Sequence, residues 1–263
     1  MAELLPHHRR AALALNAAVL HHRIASLSQD ELGDMDIEQG RIIVADNTAR
    51  WLQRGLTLGG WAANLMNPSC RDAYGLHEPI VGAVMANTVV DDGQTIDLSR
   101  FHAPTIGGGL VFRMNMDLPT RESTTVDIRR SVSAVLAALI IYDSRLEVSA
   151  NGIALQADNG GFGGAVIAAR GKALTKVDVK SAVATLIHNG KEMGSGAGKS
   201  LMGDPVEAAA WIVNVVCAMG YSIREGQELI LGTCTPIQPL RTGTWRVSIP
   251  MVGDVSLTVT QNT

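Results

Sequence analysis

Cysteine is scarce in this sequence, and the few cysteines stand far apart. The 263 residues contain three, which are Cys70, Cys217 and Cys234. Zinc knuckles and redox motifs need cysteines a few residues apart, and disulfide-stabilised secreted domains need many more of them. The cysteine content therefore excludes these classes and predicts a protein of a reducing compartment, the cytoplasm.

An excess of positive charge is also missing. The chain has 22 Lys and Arg against 25 Asp and Glu, which gives a formal net charge of −3 at pH 7. Both signs are interspersed, whereas proteins that bind nucleic-acid phosphates cluster Lys and Arg on one surface. We therefore predict no nucleic-acid partner.

Long apolar runs are absent as well. The longest covers residues 134–142, well short of the ~18–20 apolar residues that cross a bilayer. The N-terminus resembles a signal peptide only superficially, because His21, His22 and Arg23 stand where a small-residue cleavage site would lie. We interpret it as a mature helix and predict no membrane partner.

Motifs for nucleotides, metals and serine hydrolysis are missing too. Residues 194–200 read GSGAGKS, but Met193 occupies the place of the first glycine of a phosphate-binding loop, and no strand is predicted before it. We predict a flexible turn there. The seven histidines include no pair at helical i, i+4 spacing, and no Gly-x-Ser-x-Gly elbow occurs. His77 and His102 are interpreted as structural.

Two helical patterns fill the first 55 residues. The first predicts a helix with its His and Arg residues outward, and the second predicts a helix over residues 36–53 that ends at Gly55. The residues predicted to be buried are Leu13, Ala17, Leu20, Ile24 and Leu27 in the first helix, and Ile42, Ala45, Ala49 and Leu52 in the second.

The remaining chain mixes strands and helices. We predict short strands and long loops over residues 56–119. We predict a helix capped by Thr124 and Asp127 over residues 124–137, and a buried strand over residues 139–142. Asp204, Pro205 and Glu207 have the order of a helix start, and Gly220 ends that helix. Segments 245–249 and 255–259 alternate apolar and polar residues and predict a hairpin that turns at residues 253–254.

These elements together predict an α+β fold with a mixed, largely antiparallel, β-rich core. Helices lie at its periphery, and an N-terminal helical segment covers residues 1–55. No internal repeat or linker interrupts the core from residue 56 to residue 263. We therefore predict a single domain over residues 1–263.

Several short motifs occur in a characteristic order between about residue 36 and residue 259. They are Gly75-Leu76-His77-Glu78-Pro79 with Gly82, Ile141-Tyr142-Asp143-Ser144-Arg145, Ala157-Asp158-Asn159, Gly203-Asp204-Pro205 with Ala210-Trp211 and Asn214, and Leu231-Gly232-Thr233 before Pro239. In this order the chain resembles the fumarylacetoacetate hydrolase superfamily, in particular its branch of 2-hydroxypenta-2,4-dienoate hydratases and 4-oxalocrotonate decarboxylases. The resemblance implies that superfamily's fold, a homo-oligomer, and a small-molecule substrate of aromatic catabolism.

The resemblance also implies a divalent cation, which this sequence is not equipped to hold. Such relatives bind Mg²⁺ or Mn²⁺ through a Glu-x-Glu strand and a third carboxylate, and the cation stabilises the enolate of a 2-oxo acid. Here Gly107 and Gly109 stand where the relatives have the two glutamates. Ile140 stands at the position of the third carboxylate, and Ala62 stands at the position of a lysine. We predict no metal, no cofactor, and a larger and more apolar pocket.

A positively charged side chain could replace the cation. Residues two apart share a face of a strand, so Arg113 and Asn115 are predicted on the face of Gly107 and Gly109, with Met116 pointing into the core. A guanidinium binds carboxylates and enolates bidentately. Arg113 is thus a candidate catalytic anchor with Asn115 beside it. Alternatively, Arg113 pairs with a surface acid.

Other candidates come from the pocket that the resemblance implies. Glu78 is a candidate acid or base, because a carboxyl partly buried in an apolar pocket has a raised pKa. Asp158 is the other catalytic candidate. The candidate substrate-binding residues are Trp61, Asn64, Asn159 and Thr233. Each of them could instead serve only the fold.

Three classes of function remain open. The first is a cofactor-independent lyase or isomerase of an unsaturated 2-oxo acid or enol. The second is a hydrolase of carbon–carbon bonds, and the third is a non-catalytic subunit that stabilises or regulates an intact hydratase or decarboxylase. Polar residues that persist on the glycine-containing strand narrowly favour the first class, but fold analogy does not choose between them.

Overall fold

Helices and strands alternate along the chain in the computed structural model. The structure describes residues 4–27, 29–33, 35–118, 122–146 and 151–261. The helices are α1 (Pro6–His21), α2 (Gln29–Leu32), α3 (Ile37–Gln53), α4 (Pro68–Ala73), α5 (Thr125–Ser131), α6 (Gly152–Ala157) and α7 (Pro205–Ala218). The strands are β1 (Leu58–Asn64), β2 (Ile80–Met85), β3 (Val89–Asp91), β4 (Thr95–Asp97), β5 (Thr105–Met114), β6 (Val132–Tyr142), β7 (Phe162–Ile167), β8 (Val183–His188), β9 (Lys191–Ala197), β10 (Glu228–Thr233), β11 (Gln238–Pro239), β12 (Gly243–Ile249) and β13 (Gly253–Thr260).

The strands are arranged in two sheets. The first sheet has the order β2-β1-β10-β5-β6-β7-β3, with β11 paired to β5, and the second has the order β4-β13-β12-β8-β9. Parallel pairs join β1 to β10, β3 to β7 and β4 to β13, and the other pairs are antiparallel. The predicted α+β class with a mixed, largely antiparallel core and N-terminal helices is confirmed.

The first sheet curls so that strands that are not neighbours in its order come into contact. The Tyr142 hydroxyl on β6 donates a hydrogen bond of 3.0 Å to the carbonyl oxygen of Ala63 on β1, although β5 and β10 lie between these strands. The sheet therefore has an inner and an outer face. The buried side chains of the inner face are Ala62, Val84, Val111, Leu136, Ala138, Ile140, Tyr142, Phe162, Ala165, Ile167 and Ile230. The outer face joins the main core with α7 and the second sheet.

The N-terminal helix α1 is present, but it buries a different face from the predicted one. Ala11, Leu15 and Ala18 are buried, whereas Leu13 is 47% exposed. His8, predicted outward, is fully buried, and its Nδ1 lies 3.1 Å from Gln39 Oε1. The helix favours this face because small alanines allow close packing against α3. It also ends at His21, so the predicted stripe does not continue along it.

The helix α3 confirms the predicted start and end but not the predicted face. The side chain of Asp36 accepts a hydrogen bond from the backbone N of Gln39 and caps the helix. Among the residues predicted to be buried, only Ala45 is, and Leu52 is 38% exposed. The large apolar side chain that docks this helix is Trp51, which is 2% exposed.

The predicted helix over residues 124–137 is only half present. Thr124 and Asp127 form the expected capping box, yet α5 ends at Ser131 and β6 begins at Val132. Pairing with β5 along most of the length of β6 explains the difference, because its ladder of hydrogen bonds overrides the helical spacing. Met116 also departs from expectation, since it lies beyond the end of β5 and is 44% exposed.

The C-terminal half follows the predictions more closely. The carboxylate of Asp204 accepts a hydrogen bond of 2.9 Å from the backbone N of Val206, and α7 runs from there to Ala218. By length and composition, residues 198–218 could cross a membrane. The side chains of Val206, Ile212 and Val216 are nevertheless fully buried in the main core, as in the core helix of a soluble protein.

Two turn predictions are wrong. The hairpin of β12 and β13 exists, but Gly253 already pairs with Ile249, so the chain turns at residues 250–252. Residues 194–200 are not a flexible turn, because they continue β9 into a short 3-10 turn. The strand β8, which was not predicted, pairs antiparallel with β9. The first four residues of the GSGAGKS stretch thus belong to one arm of a hairpin, and the last three form the 3-10 turn.

Substitution of Asp204 tests whether its side chain stabilises the start of α7. Asp204→Ala is expected to lower the free energy of unfolding by about 1 kcal/mol, because the backbone N–H of Val206 loses its acceptor. Urea denaturation measures the change. Asp204→Asn keeps an acceptor oxygen and should lose less than half as much. Equal losses for both variants would show that the distant Lys180 ion pair, and not the cap, stabilises this end.

Candidate functional site

Strand pairing brings together the four positions at which the resemblance implies metal ligands and a lysine. Gly107 lies directly opposite Ile140 across the β5–β6 pair, and Gly109 lies opposite Ala138. Ala62 on β1 faces the same inner cluster as Ile140. All four positions therefore lie on the inner face of the first sheet, as a shared site requires.

The space beside the two glycines is filled. A β-carbon built on Gly109 would overlap the carbonyl oxygen of Gly232 and lie 2.9 Å from Cδ1 of Ile140. One built on Gly107 would lie 2.6 Å from Cγ2 of Thr233. The prediction of a larger pocket is wrong at these positions, because the end of β10 moves into the volume that side chains on β5 would occupy.

The backbone of β10 explains this approach. The register of β10 against β5 shifts between Ile230 and Thr233. Gly232, between them, has a φ of +100°, which residues with a side chain rarely adopt. The irregular end of β10 thus turns a carbonyl oxygen towards Gly109.

The side chains at this site do not fit the divalent cation that the resemblance implies. Tyr142 is the one residue of the buried inner-face cluster with a side-chain oxygen, and its hydroxyl already donates to Ala63. Hard cations bind several carboxylate or carbonyl oxygens. Over the described ranges, no group of three or more His, Cys, Asp or Glu side chains could hold a metal ion.

Two protonatable groups at the site remain neutral. Burial raises the pKa of the Cys234 thiol to about 12, and it raises the pKa of the Tyr142 phenol far above its usual value. The backbone N of Cys234 donates to Gly108, which places this thiol beside the glycines of β5. A thiol acts as a nucleophile only after it loses its proton. Neither group is therefore a base or nucleophile at neutral pH.

Arg113 lies at the opposite end of β5 from Gly107 and has a partner. Its Nη2 lies 2.6 Å from Oε1 of Glu228, the residue directly across from it on β10. The Glu228 side chain is 13% exposed. Asn115 lies past the end of β5 and is exposed. This arrangement matches the alternative interpretation of Arg113 as half of an ion pair, and substrate anchoring by Arg113 stays a prediction.

Glu78 lies beside a cation, and the expected apolar pocket is not around it. Its Oε2 lies 2.7 Å from Nη2 of Arg41, and 38% of its side chain is exposed. Arg41 also pairs with Glu38 on its own helix. The prediction of an apolar environment for Glu78 is therefore wrong.

Asp158 belongs to a buried ion pair. One carboxylate oxygen accepts from Nε of Arg145 at 2.6 Å, and the other accepts from the backbone N of Arg145 at 2.7 Å. Burial raises the pKa of Asp158, and the charge of Arg145 opposes this shift. Arg145 additionally donates to the carbonyl oxygens of Asp158 and Phe162. The pair thus fixes the loop that precedes β7.

Two candidate substrate-binding residues bond to the backbone. The amide of Asn159 exchanges hydrogen bonds with the backbone of Ala83 on β2, at 2.7 and 3.0 Å. Asn64 donates to the carbonyl oxygen of Gly160 and accepts from the backbone N of Leu65. These amides tie the loop before β7 to β1 and β2.

The remaining two candidates lie on different faces of the sheet. Trp61 is fully buried on the outer face, where its ring packs edge-on against Tyr221 with centroids 5.1 Å apart. The methyl group of Thr233 fills the space beside Gly107. The structure therefore does not gather the predicted site residues into one cluster.

A cavity that the sequence did not predict lies beside the first sheet. It has a volume of about 200 Å³ and lies between α1, α3 and the strands β2, β6 and β7. Trp51 and His102 line it. The loop position of His102 was visible in the sequence, but the joining of residues so far apart in the chain has no local sequence signal.

Comparison with solved structures identifies the fold. The 4-oxalocrotonate decarboxylase from Pseudomonas putida G7, solved with magnesium and adipate, aligns with a TM-score of 0.88 at 22% identity over 96% of this chain and 98% of that chain. A fumarylacetoacetate hydrolase family protein from Yersinia pestis CO92 aligns with a TM-score of 0.60 at 13% identity, over 78% of this chain and 94% of that one. The chain has the fold of the fumarylacetoacetate hydrolase superfamily.

Sequence comparison leads to one branch of enzymes with that fold. The 2-keto-4-pentenoate hydratase 2 from Dechloromonas aromatica (strain RCB) is 26% identical over 248 residues, which are 94% of this chain and 95% of that protein. No protein-family model matches the chain. The predicted fold is confirmed, and the relatives are hydratases and a decarboxylase.

Closure of the site predicts that Gly109 tolerates no side chain. Gly109→Ala is expected to lower the free energy of unfolding by about 3 kcal/mol, because the new methyl group meets backbone that has little room to move. Gly59→Ala is the matched control on β1, since its β-carbon would make only ordinary contacts of 3.4 Å or more. Similar stability for both variants in urea denaturation would contradict the closure.

Proposed function

We propose that the protein is a metal-free, non-catalytic relative of the 2-keto-4-pentenoate hydratases, and that it stabilises or regulates an intact hydratase or decarboxylase as a subunit. The observation that carries this proposal is the contact between β10 and β5. At Gly109 a ligand side chain is absent, and the backbone of Gly232 and the side chain of Ile140 occupy its place. A single substitution back to glutamate therefore has no room to rebuild the site.

The partners of the polar candidates support the same proposal. The carboxylate of Asp158 is bound to the buried guanidinium and the backbone of Arg145. The amides of Asn159 and Asn64 are bound to backbone groups, and Arg113 pairs with Glu228. A general acid or base must reach a substrate atom at hydrogen-bond distance. Groups held in this way stabilise the fold and are not free for such chemistry.

Similarity to relatives over nearly the full length supports a hydratase- or decarboxylase-like role. The alignment covers 98% of the decarboxylase chain. Subunits of homo-oligomers pack through surfaces of one common fold. A chain with this fold can therefore take a subunit position beside an active relative, in a soluble complex that acts on small unsaturated 2-oxo acids.

A cation-independent lyase or isomerase is the second candidate, and the position of Glu78 favours it. Its side chain remains 38% exposed, and its partner Arg41 already has a second carboxylate in Glu38. Glu78 can therefore leave the pair and act as an acid or base. In this alternative Arg113 would hold the substrate carboxylate.

A turnover assay separates the two candidates. The purified chain is incubated with 2-keto-4-pentenoate in EDTA and in Mg²⁺, and we expect no turnover in either. Turnover in EDTA that falls by about 10²-fold or more in Glu78→Gln, and less in Glu38→Gln, would establish the lyase and contradict the subunit role. Turnover that requires Mg²⁺ would contradict both candidates.

A mixing experiment tests the subunit role directly. The chain is combined with an intact, glutamate-bearing hydratase or decarboxylase from the same organism. We expect co-elution in size-exclusion chromatography and a higher melting temperature of the intact enzyme, because binding to the folded state stabilises it. Separate elution with an unchanged melting temperature would exclude this role.

A further inference from the structure

The cavity of about 200 Å³ is separate from the four positions of the implied metal site, although the candidate residue Asn159 lines it. Ala62, Gly107, Gly109 and Ile140 all lie on the inner face, and none of them lines it. Its walls come from the end of α1, from α3, from β2 and β3, and from the loop before β5. Its volume is smaller than the 300–1,000 Å³ of pockets for drug-sized ligands, so it suits a small molecule.

Two buried polar atoms at this cavity have no partner within the part of the chain that the structure describes. They are Nε1 of Trp51, a residue only 2% exposed, and Nε2 of His102. The indole N–H is a donor only. A buried donor without an acceptor costs free energy, so native proteins supply one from the protein, from water or from a ligand. Trp51, which lines the cavity, therefore has an unmet donor.

The cavity wall carries charges of both signs. Arg145 is paired with Asp158, whereas Asp143 has no ion pair in the described ranges, and both its carboxylate oxygens accept hydrogen bonds from the backbone N–H of His102. Arg100 is exposed at the cavity and forms no ion pair with any residue in the described ranges. A ligand with a negative charge would therefore find an unpaired guanidinium at this position.

The rest of the lining is largely apolar. Met85, Val90, Ile96 and Phe101 are among its apolar residues and come from β2, β3, β4 and the loop before β5. A hydrocarbon chain gains free energy by leaving water for such a surface. The lining thus combines hydrogen-bond donors and a positive charge with an apolar wall.

We propose that this cavity binds a small monocarboxylate with a short hydrocarbon chain. The carboxylate accepts the Trp51 N–H and is attracted by Arg100, and the chain lies against Met85, Val90 and Phe101. His102 donates through Nε2 in one of its two neutral tautomers. This ligand satisfies both unpartnered atoms and the free charge, which a neutral hydrocarbon would not do.

Titration with sodium hexanoate, followed by ¹H–¹⁵N spectra of the indole groups, tests the proposal. The indole signal of Trp51, assigned with Trp51→Phe, should shift saturably. Trp61 is the internal control, because it is also buried with an unpartnered Nε1 but does not line the cavity. No saturable shift of Trp51, or an equal shift of Trp61, would overturn the proposal and leave water as the only occupant.

Two further measurements test whether the negative charge of the ligand and the positive charge of Arg100 contribute to binding. Hexanamide has the same chain without the charge and should bind at least fivefold more weakly than hexanoate. Arg100→Ala should weaken hexanoate binding two- to fivefold, the effect of one exposed charge, and reduce the preference over hexanamide. Because Arg100 is exposed and unpaired, this variant should fold normally. Equal affinities for acid and amide in the unmodified chain would overturn a carboxylate site.

Discussion

The close approach of β10 to β5 is the constraint on which the centre of this molecule depends. The carbonyl of Gly232 lies where a β-carbon on Gly109 would be, and it can do so because neither residue has a side chain. Tight packing of a core leaves no volume for a later addition. Glycine at these two positions therefore allows the backbone of β10 to fill the space beside β5.

An apolar interior follows from this closure. The buried cluster on the inner face of the first sheet is hydrocarbon apart from the hydroxyl of Tyr142, which donates to the carbonyl oxygen of Ala63. An unpaired charge in such surroundings would be costly. The ion pairs of Arg145 with Asp158 and of Arg113 with Glu228 lie outside this cluster. Apolar side chains therefore make up the buried cluster at the centre of this sheet.

Local signals in the sequence predicted where helices begin better than they predicted which face of a helix is buried. The caps at Asp204 and Asp36 act within a few residues, so the starts of α7 and α3 were predictable. The buried face of α1 depends on what packs against it, and the strand β6 depends on pairing with β5. The spacing of apolar residues therefore predicted the wrong face for α1 and a helix where β6 lies. The motif order led to the prediction that no metal binds at Gly107 and Gly109, which stays a prediction. It did not reveal that β10 closes the gap, because that contact joins distant segments.

Binding of Mn²⁺, followed by electron paramagnetic resonance of the free ion, tests the closed site most directly. If backbone and hydrocarbon fill the position, the signal of free Mn²⁺ should rise in proportion to the added metal from the first addition, as it does in buffer. Loss of the signal up to one Mn²⁺ per chain would show that the residues at the centre of the first sheet form a cation site, and it would contradict this account.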